Sequence, residues 1–220
     1  MVVKHEREAA GRQKGKPGAN LPRLALIADR FTEPSYAHAA VEAVRGGVRW
    51  VHLRDHAASP SAFASAARQL TERLRAVWPD VRLSVNTRVD VAHALDLDVH
   101  IGTRGPAVVD ARAMLPDATV GYSAHSLDEA QQAQADGAAY VFFSPIFPTA
   151  SKPGHPGAGL DALRTVCEAV AVPVVALGGV TPATVPACLD AGAHGVVVLS
   201  GILHAADPAA AAHAYASLVA

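Results

Sequence analysis

Polar side chains able to bind anions or move protons recur directly after short apolar runs of this sequence. The positions are His52, Arg54, His56, Asn86, Thr87, Thr103, Arg104, Ser123, His125, Thr149, Ser151, Lys152 and Ser200. The set is rich in cations and hydroxyls, and it suits an anionic small molecule because Arg and Lys bind phosphate and carboxylate groups well. An imidazole takes up and releases protons near neutral pH, so His125 is the candidate acid or base. Arg54 has an alternative role as the partner of a neighbouring aspartate.

Two glycine-containing corners complete the candidate site. Gly178-Gly179 and Ser200-Gly201 each follow an apolar run and lead into an expected helix. Glycine lets backbone N–H groups approach a ligand closely, and a helix N-terminus carries unpaired N–H groups with partial positive charge. Two such corners predict a phosphate cup, although a plain tight turn would use the same glycines.

The elements that must position these residues alternate regularly along the chain. The expected strands are Leu24–Ala28, Val48–Arg54, Arg82–Asn86, Val99–Ile101, Ala118–Tyr122, Tyr140–Phe143, Val174–Leu177 and Gly195–Leu199. The expected helices are Ser35–Arg45, Pro60–Val77, Arg88–Leu95, Ala107–Met114, Leu127–Ala135, Leu160–Val170 and Pro182–Asp190, with a final helical region from Gly201 to the C-terminus. Eight apolar strands separated by helices predict an α/β fold of the (β/α)8 TIM-barrel type. A doubly wound open sheet is the alternative. In a barrel, catalytic groups follow the strands.

Length and composition set the broad class of the protein. The chain has 220 residues, half of them hydrophobic, and a formal net charge of −1. We therefore expect one barrel domain over residues 23–220, after a polar and basic N-terminal extension over residues 1–22 that we expect to be flexible. Nothing favours nucleic acid or a membrane as a partner, and we expect a cytoplasmic protein. Cys167 and Cys188 are expected to be buried and unpaired, and a homo-oligomer is left open.

Seven segments resemble the thiamine phosphate synthase superfamily, in order and over about residues 24–217. They are Trp50–Asp55, Val85–Ala92, Gly121–Ala130, Tyr140–Thr149, Ser151–Gly154, Ala176–Val180 and Val197–Ile202. The resemblance implies a (β/α)8 barrel and one of two activities. Thiamine phosphate synthase joins a hydroxymethylpyrimidine diphosphate to a thiazole phosphate and releases pyrophosphate, with Mg²⁺ held by acidic residues. Thiazole tautomerase moves a proton in a thiazole carboxylate phosphate without a metal, and a histidine is its acid or base.

The sequence departs from the synthase pattern at three strand ends. The pattern Gln-x-Arg-x-Lys after the second strand is replaced by His52-Leu-Arg54-Asp-His56. An Asn-Asp motif after the third strand is replaced by Asn86-Thr87, and an acidic element after the fourth strand by a stretch that contains Arg104. Mg²⁺ prefers hard anionic oxygen ligands. The two missing carboxylates therefore favour the branch that needs no metal.

We accordingly expect a metal-independent thiazole tautomerase, an isomerase acting on a small phosphorylated thiazole, with no cofactor. In this hypothesis His125 transfers the proton. The substrate would contact Arg54, His56, Asn86, Ser123, Thr149, Ser151 and Lys152, and the phosphate would bind at Gly178, Gly179, Ser200 and Gly201. Three alternatives remain: an Mg²⁺-dependent thiamine phosphate synthase, a non-catalytic thiazole-phosphate-binding or regulatory protein, and a related barrel acting on another phosphorylated substrate. The roles of His52 and His56 are left open.

Overall fold

A computed structural model of the chain describes residues 20–220, and its strands form a closed barrel. The strands are β1 (Leu24–Asp29), β2 (Trp50–Arg54), β3 (Arg82–Asn86), β4 (Asp98–Ile101), β5 (Val120–Ala124), β6 (Tyr140–Phe143), β7 (Val174–Leu177) and β8 (Gly195–Val198). Each strand pairs in parallel with its neighbours in chain order, and β8 returns to pair with β1. The predicted (β/α)8 TIM barrel is therefore confirmed.

Helices follow the strands and cover the outside of the barrel. They are α1 (Pro34–Arg45), α2 (Pro60–Val77), α3 (Val89–Leu95), α4 (Val108–Met114), α5 (Leu127–Ala135), α6 (Gly159–Ala169), α7 (Val185–Asp190), α8 (Ser200–Leu203) and α9 (Pro208–Ala216). A 3₁₀ turn over Pro182–Thr184 precedes α7. None of the described helices is long and apolar enough to cross a membrane.

Local signals in the sequence explain where several helices begin. Ser59 accepts a hydrogen bond from the backbone N–H of Ala62 (3.3 Å) at the start of α2, as its position before Pro60 predicted. The single helical region expected after Gly201 is instead divided into α8 and α9. The division occurs because Asp207 caps a new helix through the backbone N–H of Ala210 (2.9 Å).

Only the end of the predicted N-terminal extension, residues 20–22, belongs to the described part of the chain. Residues 1–19 lie outside the described residues. Leu21 is only 4% exposed and packs in the inner core of the barrel. Its carbonyl oxygen accepts a hydrogen bond from Nε2 of His194 (2.8 Å), which precedes β8. The packed structure therefore already includes residue 21.

Large side chains fill the inside of the barrel. Trp50, Tyr140 and Phe142 are fully buried there, and the Trp50 and Tyr140 rings meet edge to face with centroids 4.8 Å apart. Small and branched residues such as Ala25 and Val175 occupy the remaining space. A second apolar layer lies between the strands and the helices. The barrel is therefore solid below its carboxyl end, and a ligand can enter only from that end.

Two histidines are buried among these aromatic rings. His52 and His100 are each 2% exposed, with ring centroids 5.2 Å apart. Nδ1 of His52 lies 3.1 Å from the Ser84 hydroxyl, and Nδ1 of His100 lies 3.2 Å from the Tyr140 hydroxyl. Burial, followed by the nearby charge of Arg54, lowers the pKa of His52 to about 3. Burial also lowers the pKa of His100 well below its usual value. Both rings are therefore neutral in the folded protein.

These neutral histidines predict a loss of stability on mild acidification. In the unfolded chain each histidine takes up a proton near pH 6.5, whereas in the folded chain it does not, so unfolding becomes easier as the pH falls below that value. Between pH 7 and pH 5 we expect a loss of about 2 kcal/mol of unfolding free energy from His52, and a loss of the same sign from His100. Urea unfolding at several pH values measures this slope.

The variant His52→Gln should reduce that pH dependence by about half, because glutamine does not titrate. His213→Gln on the exposed side of α9 is the matched control, and it should leave the slope unchanged. A His52→Gln variant with the full slope of the original protein would show that His52 is not the titrating group.

Candidate active site

A cavity of about 690 Å³ lies at the carboxyl end of the barrel. Every residue that the sequence analysis assigned to the site lines it: Arg54, His56, Asn86, Ser123, His125, Thr149, Ser151, Lys152, Gly178, Gly179, Ser200 and Gly201. The volume falls in the range of ordinary small-molecule sites. Residues far apart in the sequence meet here because parallel strands closed into a barrel present all their carboxyl ends on one face.

Further residues line the cavity without having been assigned a role from the sequence. They include Thr87, Thr103, Arg104 and Ser144. Each of them comes just after a strand, so its position at a strand end was the feature of the sequence that could have identified it as a cavity residue. Two other polar residues near strand ends do not line the cavity: His52 lies inside the barrel, and Arg88 forms an ion pair with Asp90 (2.6 Å).

One side of the cavity is built from the corners after β7 and β8, and we call Gly178, Gly179, Ser200 and Gly201 the phosphate cup. Gly178 and Gly179 have φ values of +96° and +68°, which side chains rarely adopt. A Cβ on Gly179 would also lie 2.5 Å from the carbonyl oxygen of Pro148. The Gly179 N–H makes no hydrogen bond with another described residue. It is thus free to bind a ligand oxygen, and the N–H groups of Ser200 and Gly201 at the start of α8 likewise make no hydrogen bond with a described residue.

His125 lies between the two sides of the cavity, after β5, and is held at two points. The side chain of Glu129 accepts a hydrogen bond from its backbone N–H (2.6 Å). Its Nδ1 lies 2.6 Å from the carbonyl oxygen of Ser144. A carbonyl oxygen only accepts, so Nδ1 carries the proton, and in the neutral ring Nε2 is left with a lone pair for a ligand. Nζ of Lys152 is 3.4 Å from the same ring.

The side of the cavity after β2 and β4 is positively charged, and we call Arg54, His56 and Arg104 the basic wall. Nε of Arg54 donates to Asp29 (2.8 Å), so one of the pairings considered from the sequence is present. Arg104 is exposed and makes no hydrogen bond or ion pair with any described residue. Partial burial lowers the pKa of His56, and the positive charges of Arg54 and Arg104 lower it further. In the ring of strands β4 stands opposite β8, so Arg104 lies across the cavity from the phosphate cup, whereas Arg54 and His56 follow β2, two strands from β8.

Thr87, next to the basic wall, has a backbone conformation that its residue type disfavours. Its φ is +55°, in the left-handed region, where a β-branched residue is an outlier and Asn, Asp or Gly is usual. The conformation is fixed on both sides, because its N–H donates to the carbonyl of His100 (2.9 Å) and its carbonyl accepts from the N–H of Val89 (3.0 Å). Strain of this kind is typical of functional loops.

The fold and this cavity define the chain as a (β/α)8 barrel with a cavity lined by cationic side chains and glycines at the carboxyl ends of its strands. The class contains many chemistries, so comparison with known proteins is needed to narrow it. A family model described as thiamine monophosphate synthase matches residues 24–202. The chain belongs to this family.

Individual relatives agree with the family model. A thiamine-phosphate synthase of Chloroflexus aurantiacus is 39% identical over 201 residues, which are 90% of this chain and 92% of that protein. A second one, from Roseiflexus castenholzii, is 40% identical over 181 residues, which are 81% of this chain and 78% of that protein. Among solved structures, thiamine phosphate pyrophosphorylase from Pyrococcus furiosus matches with a TM-score of 0.81 and 30% identity, covering 90% of this chain and 95% of that one.

These comparisons overturn the expected function. The expectation of a thiazole tautomerase, and with it the isomerase class, is wrong, because the similar proteins are named as synthases or pyrophosphorylases. The expectation gave decisive weight to two missing carboxylates. In the structure, Thr87 and Arg104 line the cavity together with Arg54 and His56.

The Mg²⁺ that the resemblance implies does not fit the residues of this cavity. Among the described residues, no carboxylate lines the cavity, and no group of three or more His, Cys, Asp or Glu could hold a metal ion. Asp29, at the edge, is paired with Arg54, and Asp55 accepts hydrogen bonds from Thr32 and from the backbone of the next loop. We therefore assign no step of the reaction to a metal ion.

The strained residue beside the basic wall gives a prediction about stability. Thr87→Asn should stabilise the fold by about 1 kcal/mol, because asparagine tolerates the left-handed conformation that threonine resists. Thermal or urea unfolding measures the change. The control is Thr165→Asn on α6, where the two residues have similar helix propensity and little change is expected. Equal changes in unfolding free energy in the two variants would show that the left-handed conformation of Thr87 does not destabilise the fold.

Proposed function

We propose that this chain is a thiamine-phosphate synthase, a transferase that joins a hydroxymethylpyrimidine diphosphate to a thiazole phosphate. The observation that carries the proposal is the similarity to proteins of that name over nine tenths of the chain, at 39% identity. The cavity supports it because two phosphorylated substrates need two separate anion-binding regions, and the phosphate cup and the basic wall lie at different strand ends of one cavity.

The reaction proposed is a substitution at the methylene carbon of the pyrimidine. The bond from this carbon to the diphosphate oxygen breaks, and its electron pair leaves with pyrophosphate. The lone pair of the thiazole nitrogen forms the new carbon–nitrogen bond. Charge therefore accumulates on the leaving diphosphate, and fixed positive groups beside it lower the barrier most.

The residues divide between the two substrates in this proposal. The phosphate cup holds the phosphate of the thiazole through backbone N–H groups. The basic wall and Lys152 hold the diphosphate, which places the reacting carbon in the middle of the cavity, near Ser123 and His125. No proton has to leave a carbon atom, so His125 positions a substrate through Nε2 rather than acting as a base. Orientation of this kind is a major source of rate enhancement when two substrates must meet.

The direct test supplies the full-length chain with both substrates, in Mg²⁺ and in EDTA, and measures thiamine phosphate and pyrophosphate. We expect the two products in equal amounts, and none when either substrate is omitted. Binding of the thiazole phosphate without any product under either condition would contradict the proposal and favour a non-catalytic binding protein.

A glycine substitution tests the phosphate cup. Gly179→Ala should raise the KM for thiazole phosphate at least ten-fold, because the added Cβ collides with Pro148 and displaces the N–H that would bind phosphate. Gly159→Ala is the matched control, since its φ is also positive (+81°) but its Cβ would meet nothing within 4 Å. The free-energy cost of placing alanine at a positive φ is then similar in the two variants. Equal KM values for thiazole phosphate would therefore show that the cup does not bind the phosphate.

A further inference from the structure

We propose that this chain holds the diphosphate of its substrate with the side-chain cations of the basic wall, in the place where related synthases are expected to use a divalent cation. This inference rests on the proposed function for the identity of the substrate. The binding site itself is defined by the charges that line the cavity.

The cavity carries an excess of positive charge that is only partly paired with other described residues. Arg104 is exposed, and it makes no hydrogen bond or ion pair with any residue that the structure describes. Arg54 bonds to Asp29 through Nε, which leaves both terminal nitrogens of the guanidinium without a bond to a described residue. These nitrogens form the planar pair of donors that binds phosphate oxygens well. Lys152 adds a third cation on a neighbouring loop.

The loops after β3 and β4 are in contact, so Thr87 and Arg104 belong to one local region. The side-chain methyl of Thr87 lies against the backbone at Gly105, where an added Cβ would approach it to 2.9 Å. A tight turn from Gly102 to Gly105 (2.8 Å) holds Arg104 at this point. The two positions at which the resemblance implies acidic residues are therefore adjacent, and here they carry a hydroxyl and a guanidinium.

The net charge of the residues present at Thr87, Arg104 and His56 can be compared with that of the expected acidic residues, lysine and metal ion. Two carboxylates and one divalent cation have no net charge together, whereas Thr87 and Arg104 together carry one positive charge. The resemblance implies a lysine at the position of His56, and a neutral histidine there removes one positive charge. The two changes cancel, so this region without a metal has the same formal net charge as the expected arrangement with one.

The surroundings of His56 agree with this arrangement. Burial is the first cause of its lowered pKa, and Arg54 and Arg104 are the next two, so both guanidinium groups lie close enough to act on its ring. Asp29 and Asp55 act on the ring in the opposite direction, but both are engaged in bonds of their own. An anion placed on this wall would therefore contact both arginines at once.

The test measures the binding of inorganic pyrophosphate to the full-length chain by calorimetry, in EDTA and in Mg²⁺. We expect binding in EDTA, with an affinity that Mg²⁺ does not increase more than two- or three-fold. Arg104→Gln should weaken binding in EDTA at least ten-fold, because a charge-assisted bond is lost. It should not affect the fold of residues 20–220, because Arg104 makes no hydrogen bond or ion pair with another residue in this range. The control is Arg73→Gln on the exposed side of α2, which should bind pyrophosphate as the original chain does.

A second variant restores the acidic residues. Thr87→Asp combined with Arg104→Asp should lose at least a hundred-fold in affinity for pyrophosphate in EDTA and recover part of it in Mg²⁺. The proposal is wrong if the original chain binds pyrophosphate only in Mg²⁺, or if Arg104→Gln and Arg73→Gln bind it equally well.

These measurements separate this inference from the proposed function, because pyrophosphate binding does not require turnover. Binding in EDTA without formation of thiamine phosphate would support the basic wall and contradict the synthase. Formation of thiamine phosphate together with binding that needs Mg²⁺ would support the synthase and contradict the basic wall.

Discussion

Closure of the parallel strands into one hydrogen-bonded ring is the constraint on which the rest of this structure depends. The pairing of β8 with β1 leaves no open sheet edge, and it brings every strand end to the same face. Residues after β2, β5 and β8 can therefore line one cavity although more than a hundred positions of sequence separate the first from the last. The same closure forces the inward side chains to fill a narrow interior, which Trp50, Tyr140 and Phe142 do.

The packed interior and the cavity are connected through the two buried histidines. Nε2 of His100 lies 2.8 Å from the hydroxyl of Ser123, and the side chain of Asn86 lies near enough to the His52 ring to raise its pKa against the effect of burial. Ser123 and Asn86 both line the cavity. A neutral imidazole can bond at both nitrogens while it stays in an apolar interior, which an ionised side chain does only at high cost. The histidines thus orient two polar groups of the site from below.

The balance of charges around the cavity bears on why the expectation of a metal-independent thiazole tautomerase was wrong. The absence of two carboxylates was correctly observed in the sequence, but its meaning depended on what else surrounds those positions. The structure places Arg104 close to Arg54 and His56, so the region remains suited to a highly charged anion. A motif that loses metal ligands and gains a cation keeps its preference for phosphate groups, and the reaction class has to be inferred from other information.

The sequence by itself determined the barrel, because eight apolar runs separated by helices have few other ways to bury their strands. It also determined which residues line the cavity wherever a side chain lies at or directly after the end of a strand, as for Arg54 and His125. The tertiary structure decided the rest. Only packing shows that His52 is enclosed by aromatic rings, that Thr87 is held in a left-handed conformation, and that Arg104 pairs with none of the residues that the structure describes. These properties depend on contacts between distant parts of the chain, and the local sequence does not encode them.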